Sequence, residues 1–218
     1  MRAVLEELNL IDAEIGHKHA DVDRVLFEPY FNAGWLQRLK QQYRRREVLY
    51  DVPFLFCFVR HPLSWYESWF KYMSQAKRNW RDWPHRKGPV DYHPSAPING
   101  TGDKEFNRFV QNVMERFPGY VTQLYGWYTK RGVDFVGHQE SLREDMVELL
   151  KRLNVAFDPQ FVLGYQPVGV SPEPENPVWW DDAVRAEAIR VEYAAILQYN
   201  YSVEEYRCID SFPVCIRR

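Results

Sequence analysis

Phe54-Leu55-Phe56-Cys57-Phe58-Val59-Arg60-His61-Pro62 is the stretch whose reading decides the fold. Six apolar residues run unbroken between Pro53 and the Arg60-His61-Pro62 turn. A continuous run of this kind is the pattern of a strand buried on both faces, as in a parallel sheet. Pro62 stands where a first helical turn tolerates proline. Beyond it Trp65, Trp69 and Tyr72 recur at helical spacing to about Met73. The segment therefore reads as strand, turn, helix.

The same unit recurs downstream. Val133-Asp134-Phe135-Val136-Gly137 is a second buried-type strand, followed by a helix on Met146, Leu149, Leu150 and Leu153. Between the two units the spacing predicts a helix from Lys104 with Phe106, Phe109, Val110, Val113 and Phe117 in one stripe. Pro118-Gly119 stops it, and Val121, Leu124, Tyr125 and Tyr128 carry the next. Upstream, residues 2–9 read as helix on Val4, Leu5 and Leu8, and Ala13–Gly16 as a short extended segment. Asn32–Arg46 reads as a helix on Trp35, Leu36, Leu39 and Tyr43, its Arg44-Arg45-Arg46 end solvated. After a proline-rich link, Pro167–Pro177, a last helix runs from about Asp182 to Gln198. Strands alternating with helices predict an α/β fold with a parallel sheet flanked by helices, in a single domain over 1–218.

Composition narrows the class. Lys and Arg total 28 against 30 Asp and Glu, a net charge of −2, which gives no reason to expect nucleic acid or an anionic membrane as partner. The longest apolar run, Pro53–Val59, falls far short of the roughly 20 residues of a membrane helix. Acidic residues within Met1-Arg2-Ala3-Val4-Leu5-Glu6-Glu7 do not suit a signal peptide. Three cysteines, Cys57, Cys208 and Cys215, make neither a disulfide framework nor a four-ligand zinc site. A cytoplasmic protein without a metal is the expectation. Aromatic content is 16% with eight Trp, more than a core of this size requires.

In open parallel α/β sheets, ligands bind off the carboxyl ends of the strands. Arg60 is predicted at such an end, running into a helix N-terminus that favours anions. Ser64 and Ser68, four apart, share one face of that helix. A guanidinium with a hydroxyl two turns on would clamp a phosphate; alternatively Arg60 is an exposed salt-bridge partner.

The residues from Phe54 to Trp69 resemble the signature that binds the 3′-phosphate in sulfotransferases, which use 3′-phosphoadenosine 5′-phosphosulfate (PAPS). In that family an Arg ends a strand, a Pro follows two residues later and a Ser lies eight residues after the Arg. Here these are Arg60, Pro62 and Ser68. Val133–Leu142, with Glu140-Ser141-Leu142, is similar to the family's later strand and its E-x-L turn. The helix–Pro-Gly–helix ahead of it and the final helix ending in Tyr199-Asn200-Tyr201 fit the same layout, so the resemblance covers most of the chain.

It implies a nucleoside-kinase-like fold and transfer of a sulfuryl group from PAPS to a hydroxyl or amine of a small-molecule or carbohydrate acceptor. Arg60 and Ser68 would hold the 3′-phosphate. The family's N-terminal strand and Gly/Ser/Thr-rich phosphate loop with its Lys have no counterpart: Asn99-Gly100-Thr101-Gly102-Asp103-Lys104 comes nearest but lies elsewhere in the order. Met1 is expected to fall inside the helix that follows that loop, through truncation or by nature. The missing strand would leave an open sheet edge, which a homo-oligomer would cover. The rival reading is a catalytically inactive sulfotransferase-like binding domain lacking the donor loop. A nucleotide kinase is disfavoured for want of a Walker-type lysine loop.

Sulfuryl transfer needs a base for the acceptor proton. Gly16-His17-Lys18-His19 offers His17 or His19 for that catalytic role, with Lys18 to offset charge. Both histidines are otherwise surface groups in a turn. The segment 78–104 breaks all periodicity and carries Trp80, Trp83, His85, Arg86, Lys87 and His93. It reads either as an acceptor lid or as a loop stapled to the core by its aromatics.

Overall fold

The computed structural model describes residues 1–11, 54–74, 95–129, 133–168 and 177–202. At its centre β1 (Phe56–Val59) and β2 (Phe135–His138) run parallel, in the register Phe56 to Phe135 and Val59 to His138. The ladder is extended at both ends. Leu55 O accepts Asp134 N–H at 2.8 Å, and Val59 O accepts Gln139 N–H at 2.8 Å. Gly137 faces Phe58 across the pair, and a Cβ there would fall 2.7 Å from Cδ1 of the Phe58 ring. Only glycine allows that ring to lie over the strand.

Parallel strands need a long crossover, and among the described residues this one carries three α-helices: α2 (Pro62–Met73), α3 (Phe106–Arg116) and α4 (Tyr120–Thr129). α1 (Arg2–Glu7) precedes the sheet. α5 (Leu142–Arg152), α6 (Pro159–Leu163), α7 (Asp182–Val191) and α8 (Tyr193–Gln198) follow it. Side chains of the strand pair alternate between two clusters, as period 2 requires. Phe56, Phe58 and Phe135 pack with Met146, Leu149 and Leu150 of α5, Val4 of α1 and Val162 of α6. Val59 and Val136 pack toward the larger cluster built by α2, α3, α4, α7 and α8. Among the described residues the architecture is mixed α/β, with helices against both sides of a small two-stranded parallel sheet.

Several expected elements stand where their residues predicted them. α2 begins at Pro62, as the first-turn tolerance for proline requires, and buries Leu63, Tyr66, Phe70 and Met73. Gly119, at φ +73, makes the left-handed turn between α3 and α4, 3.1 Å from Val191 O if it carried a Cβ. The strands are shorter than the apolar run. β1 spans Phe56–Val59 and only Val59 in it is buried, whereas burial on both faces was expected over 54–59. The second strand begins two residues later than its apolar run, because Asp134 turns its carboxylate onto Leu55 N–H at 2.7 Å. α6 was not foreseen; Asp158 caps it through Gln160 N–H, with Pro159 in the first turn.

The last predicted helix, 182–198, is two helices broken at Glu192. Its carboxylate turns inward and has 0% exposure. Oε1 accepts Tyr66 O–H at 2.8 Å and Val121 N–H at 3.1 Å; Oε2 accepts Thr122 N–H and Thr122 O–H, both at 2.8 Å. Two of those donors are open first-turn amides of α4, so an anion is stabilised there twice, by hydrogen bonds and by the helix dipole. The end of the expected loop is also built in. Thr101 is buried with its hydroxyl on Ile98 O at 2.7 Å, and Asn112 and Arg116 of α3 donate to Thr101 O and Asn99 O. That part of 78–104 is stapled to the core; Trp80, Trp83, His85, Arg86, Lys87 and His93 lie outside the described residues, as do Ala13–Gly16 and Asn32–Arg46. Among the described residues no helix is long and apolar enough to cross a membrane.

Removal of the Glu192 side chain strands four donors, two buried and two part-buried. Glu192→Ala is expected to cost about 3–5 kcal/mol in urea denaturation, the scale for breaking a buried charge from its partners. A cost below about 1 kcal/mol would show that water or another group caps α4 in its place.

Candidate functional site

The carboxyl ends of β1 and β2 come out side by side, and the residues just past them form the site. Val59 is followed by Arg60 and His61, and His138 ends β2 ahead of Gln139 and Glu140. The backbone of this corner is tied from three elements. Tyr125, one face of α4, donates its hydroxyl to Arg60 O at 2.7 Å and accepts Arg60 N–H at 3.3 Å. Glu140 Oε1 accepts His61 N–H at 2.8 Å, and Glu140 Oε2 accepts the Tyr201 hydroxyl at 3.3 Å. Asp145 in the first turn of α5 accepts His138 N–H, and its Oδ2 lies 3.5 Å from His138 Nδ1. The other ring nitrogen of His138 is 2.8 Å from Tyr199 O; a carbonyl only accepts, so Nε2 carries a proton.

Tyr201 stands between two imidazoles, edge-on to His61 at 4.9 Å and to His138 at 5.0 Å. Burial, and then the Glu140 carboxylate, push the Tyr201 hydroxyl far above the ordinary tyrosine range. Burial does the same to Tyr125, opposed by its bond to the Arg60 backbone and by the Arg60 charge. Both phenols are neutral hydrogen-bonding groups at any working pH. Cys57, on β1, is pushed up to about 11 by burial and is a thiol. His61 is buried, with Nδ1 accepting Leu63 N–H at 3.2 Å as the cap of α2. Burial pushes its pKa down to about 4; Glu140 opposes the shift and Arg185 adds to it.

Arg60 is at the strand tip, as predicted. Its guanidinium makes no hydrogen bond or ion pair with a described residue, so the salt-bridge reading of Arg60 has no partner among them. Ser68 lies two turns into α2, and with Ser64 and Lys71 it occupies the face opposite Leu63, Tyr66 and Phe70. Ser64 and Ser68 are half-buried, and no hydrogen bond joins Ser68 to Arg60. His17 and His19 lie outside the described residues. The expected anion site at the N-terminus of α2 is altered. His61 takes the Leu63 amide, Pro62 has none, and Glu140 already places a carboxylate on His61 N–H. An anion arriving here is held by side chains rather than by the helix terminus.

Comparison of the chain with protein-family models, with curated proteins and with solved structures finds no match. The site therefore rests on its own residues. Sequence reasoning names Arg60 and Ser68, and names Glu140 within the E-x-L turn of the resemblance; in the structure Glu140 accepts His61 N–H. It does not name Tyr125, His138, Asp145 or Tyr201 as parts of the site. The sequence pattern shows Tyr125 only on a helix stripe, and Tyr201 only at a helix end. Among the described residues no three His, Cys, Asp or Glu side chains converge as a metal would require.

The buried His61 makes stability pH-dependent with a definite sign. Unfolded, its pKa is near the ordinary 6.5; folded, it is about 4. Between these values the unfolded chain binds more protons, so this contribution is whole above about pH 6.5 and is lost as pH falls to about 4. The loss is on the order of 2–3 kcal/mol. Urea titrations from pH 7 to 4 should show it in the parent and not in His61→Asn, which keeps an acceptor for the cap. An equal decline in both would assign the acid sensitivity to other groups.

Proposed function

We propose that the chain is a PAPS-dependent sulfotransferase domain, in which Arg60 and Ser68 bind the 3′-phosphate of the donor nucleotide. The observation that carries this reading is the Arg60 guanidinium at the carboxyl end of a parallel strand. The main chain beneath it is held by Tyr125 on the Arg60 N–H and carbonyl and by Glu140 on the His61 amide. A strand-end arginine with its main chain fixed and its charge unpaired among the described residues suits a phosphate dianion, whose oxygens match the planar fork of the guanidinium. Ser68 would add a hydroxyl donor from α2. The nucleoside-kinase-like fold of the family is part of this proposal, and the small parallel sheet with helices on both sides is compatible with it.

PAPS would supply the sulfuryl group for an in-line displacement by an acceptor hydroxyl or amine. This chain's residues would contribute position and charge, as in phosphoryl transfer. Arg60 offsets the 3′-phosphate charge and fixes the nucleotide's register. Tyr125, buried, and Tyr201, half-buried, are both neutral and keep the corner rigid without adding negative charge beside the ligand. His17 or His19 would accept the proton from the acceptor.

Calorimetric titration with adenosine 3′,5′-bisphosphate, beside adenosine 5′-monophosphate, tests the reading. The bisphosphate should bind more tightly, and Arg60→Ala should weaken it by about 2–5 kcal/mol while erasing the preference. Ser68→Ala should cost about 1 kcal/mol, one neutral hydrogen bond. Equal affinity for the two nucleotides in the parent chain would remove the 3′-phosphate assignment. Tight bisphosphate binding without sulfuryl transfer to any acceptor would favour the inactive binding domain.

A further inference from the structure

The chain contains a single Asn-Gly pair, Asn99-Gly100, in the turn between the short 3₁₀ helix Ala96–Ile98 and α3. An asparagine before glycine is chemically the least protected amide in a polypeptide, because no side chain on the glycine shields its N–H from the asparagine Cγ. Its fate in a folded chain depends on exposure, on whether that N–H is engaged, and on what acts on the peptide group between the two residues.

Gly100 is exposed and Asn99 half-exposed, so water and hydroxide reach the pair. Among the described residues no hydrogen bond engages the Asn99 side chain or the Gly100 N–H. The next amide, Thr101 N–H, closes the turn on Ile98 O at 3.2 Å. Gly100 has φ +82, which other residues adopt only with strain, so the turn itself demands glycine after Asn99.

Arg116 acts on the peptide group. From the last turn of α3 it donates Nη1–H to Asn99 O at 2.6 Å. Its guanidinium lies over the Phe117 ring, 5.4 Å from the centroid, and Nη1 would stand 3.5 Å from a Cβ on Gly100. Asn99 O and Gly100 N–H are the two ends of one resonant peptide group. When that nitrogen loses its proton, the oxygen takes up negative charge. A cation hydrogen-bonded to the oxygen stabilises that charge, as a donor does in an oxyanion hole.

We propose that Asn99 is a site of spontaneous deamidation promoted by Arg116. Gly100 N–H gives its proton to solvent base, and the nitrogen bonds to Asn99 Cγ. The Cγ–Nδ2 bond breaks, ammonia leaves with a proton from water, and a cyclic imide remains. Water then opens the imide: addition at Cγ gives aspartate, and addition at the main-chain carbonyl gives isoaspartate. Either product adds a negative charge beside Arg116 to a chain of net charge −2. Isoaspartate also lengthens the main chain by one carbon between Ile98 and Thr101. Thr101 N–H and the buried Thr101 hydroxyl both close that stretch on Ile98 O, and Asn112 clamps it at Thr101 O, 3.1 Å away. Isoaspartate therefore releases the loop end from α3, whereas aspartate leaves it in place.

The test ages the whole chain in mildly alkaline buffer, folded and in urea. Mass spectrometry follows the Asn99 peptide, with electron-transfer fragmentation to separate the two products. The folded parent should gain about 1 Da at Asn99, faster than the same chain in urea and ahead of every other asparagine. Arg116→Gln offers a neutral donor in place of the cation. It should retain the parent melting temperature and slow the folded reaction about tenfold, while in urea the two chains react alike. The isoaspartyl fraction should lose hydrogen-exchange protection at Thr101 N–H, and Asn99→Asp should keep it. Faster reaction in urea than in the folded parent would show that the turn protects Asn99, and that comparison needs no variant; it overturns the proposal. So do equal folded rates in the parent and Arg116→Gln.

Discussion

The buried carboxylate of Glu192 is the constraint on which the rest of the helical layer depends. A charge removed from water costs several kcal/mol unless its oxygens are fully satisfied. Here four donors do so, from Tyr66 on α2 and from Val121 and Thr122 in the first turn of α4. Meeting them all requires the chain to break between α7 and α8 and to bring that break against both helices. Once α4 is anchored at its start, Tyr125, one turn further on, is carried to the backbone of Arg60. The path from Glu192 to the strand tip is thus one hydrogen bond, one helical turn and a second hydrogen bond. Tyr66 offsets part of the cost: burial first, and the carboxylate beside it next, hold its hydroxyl well above the ordinary range, so it is always a donor.

The same use of phenols accounts for part of the high aromatic content. Tyr66, Tyr125, Tyr199 and Tyr201 each bring a ring to the core or its rim and a hydroxyl to a group that needs a partner. The hydroxyls of Tyr199 and Thr129 are 2.8 Å apart, while the Tyr199 carbonyl takes the His138 ring N–H. A leucine of similar bulk would fill space and leave those groups unsatisfied. Trp65 and Trp69 use the geometry differently, stacked at 5.8 Å along α2, four residues apart. The two kinds of aromatic are told apart by what their polar atoms reach, which composition alone does not reveal.

Legibility in the sequence followed the range of the interactions. α2, α3, α4 and α5 are announced by local signals: Pro62 in a first turn, an apolar stripe, Pro118-Gly119 as a stop. The break at Glu192 is invisible to periodicity, because a glutamate in an amphipathic helix reads as a solvated position until its partners, 70 to 126 residues away, are known. α6 carries its signal in Asp158-Pro159 but is only five residues long, too short for a stripe to repeat. At the strand tips, Arg60 and Glu140 were legible in position because a strand end and a turn mark them. Tyr125 and Asp145 act from elements whose local pattern is that of ordinary helix, Tyr201 from just past one, and only the fold brings them to the strand tips.

What those added residues do changes the chemistry open to the site. A bare strand-to-helix corner offers an anion the amides of the first helical turn. Here Glu140 and Asp145 place carboxylates on the backbone N–H groups of His61 and His138, and the His61 ring occupies the amide of Leu63. The corner is rigid, but its backbone donors are already used and two negative charges stand beside it. An incoming phosphate would therefore be recognised by the Arg60 guanidinium and the α2 hydroxyls, against a background that repels it. Under the proposed reading, such binding would require a ligand whose charge meets Arg60 rather than the carboxylates of Glu140 and Asp145. Tyr125, bonded to both backbone groups of Arg60, would hold the root of that guanidinium in place while the side chain meets the ligand.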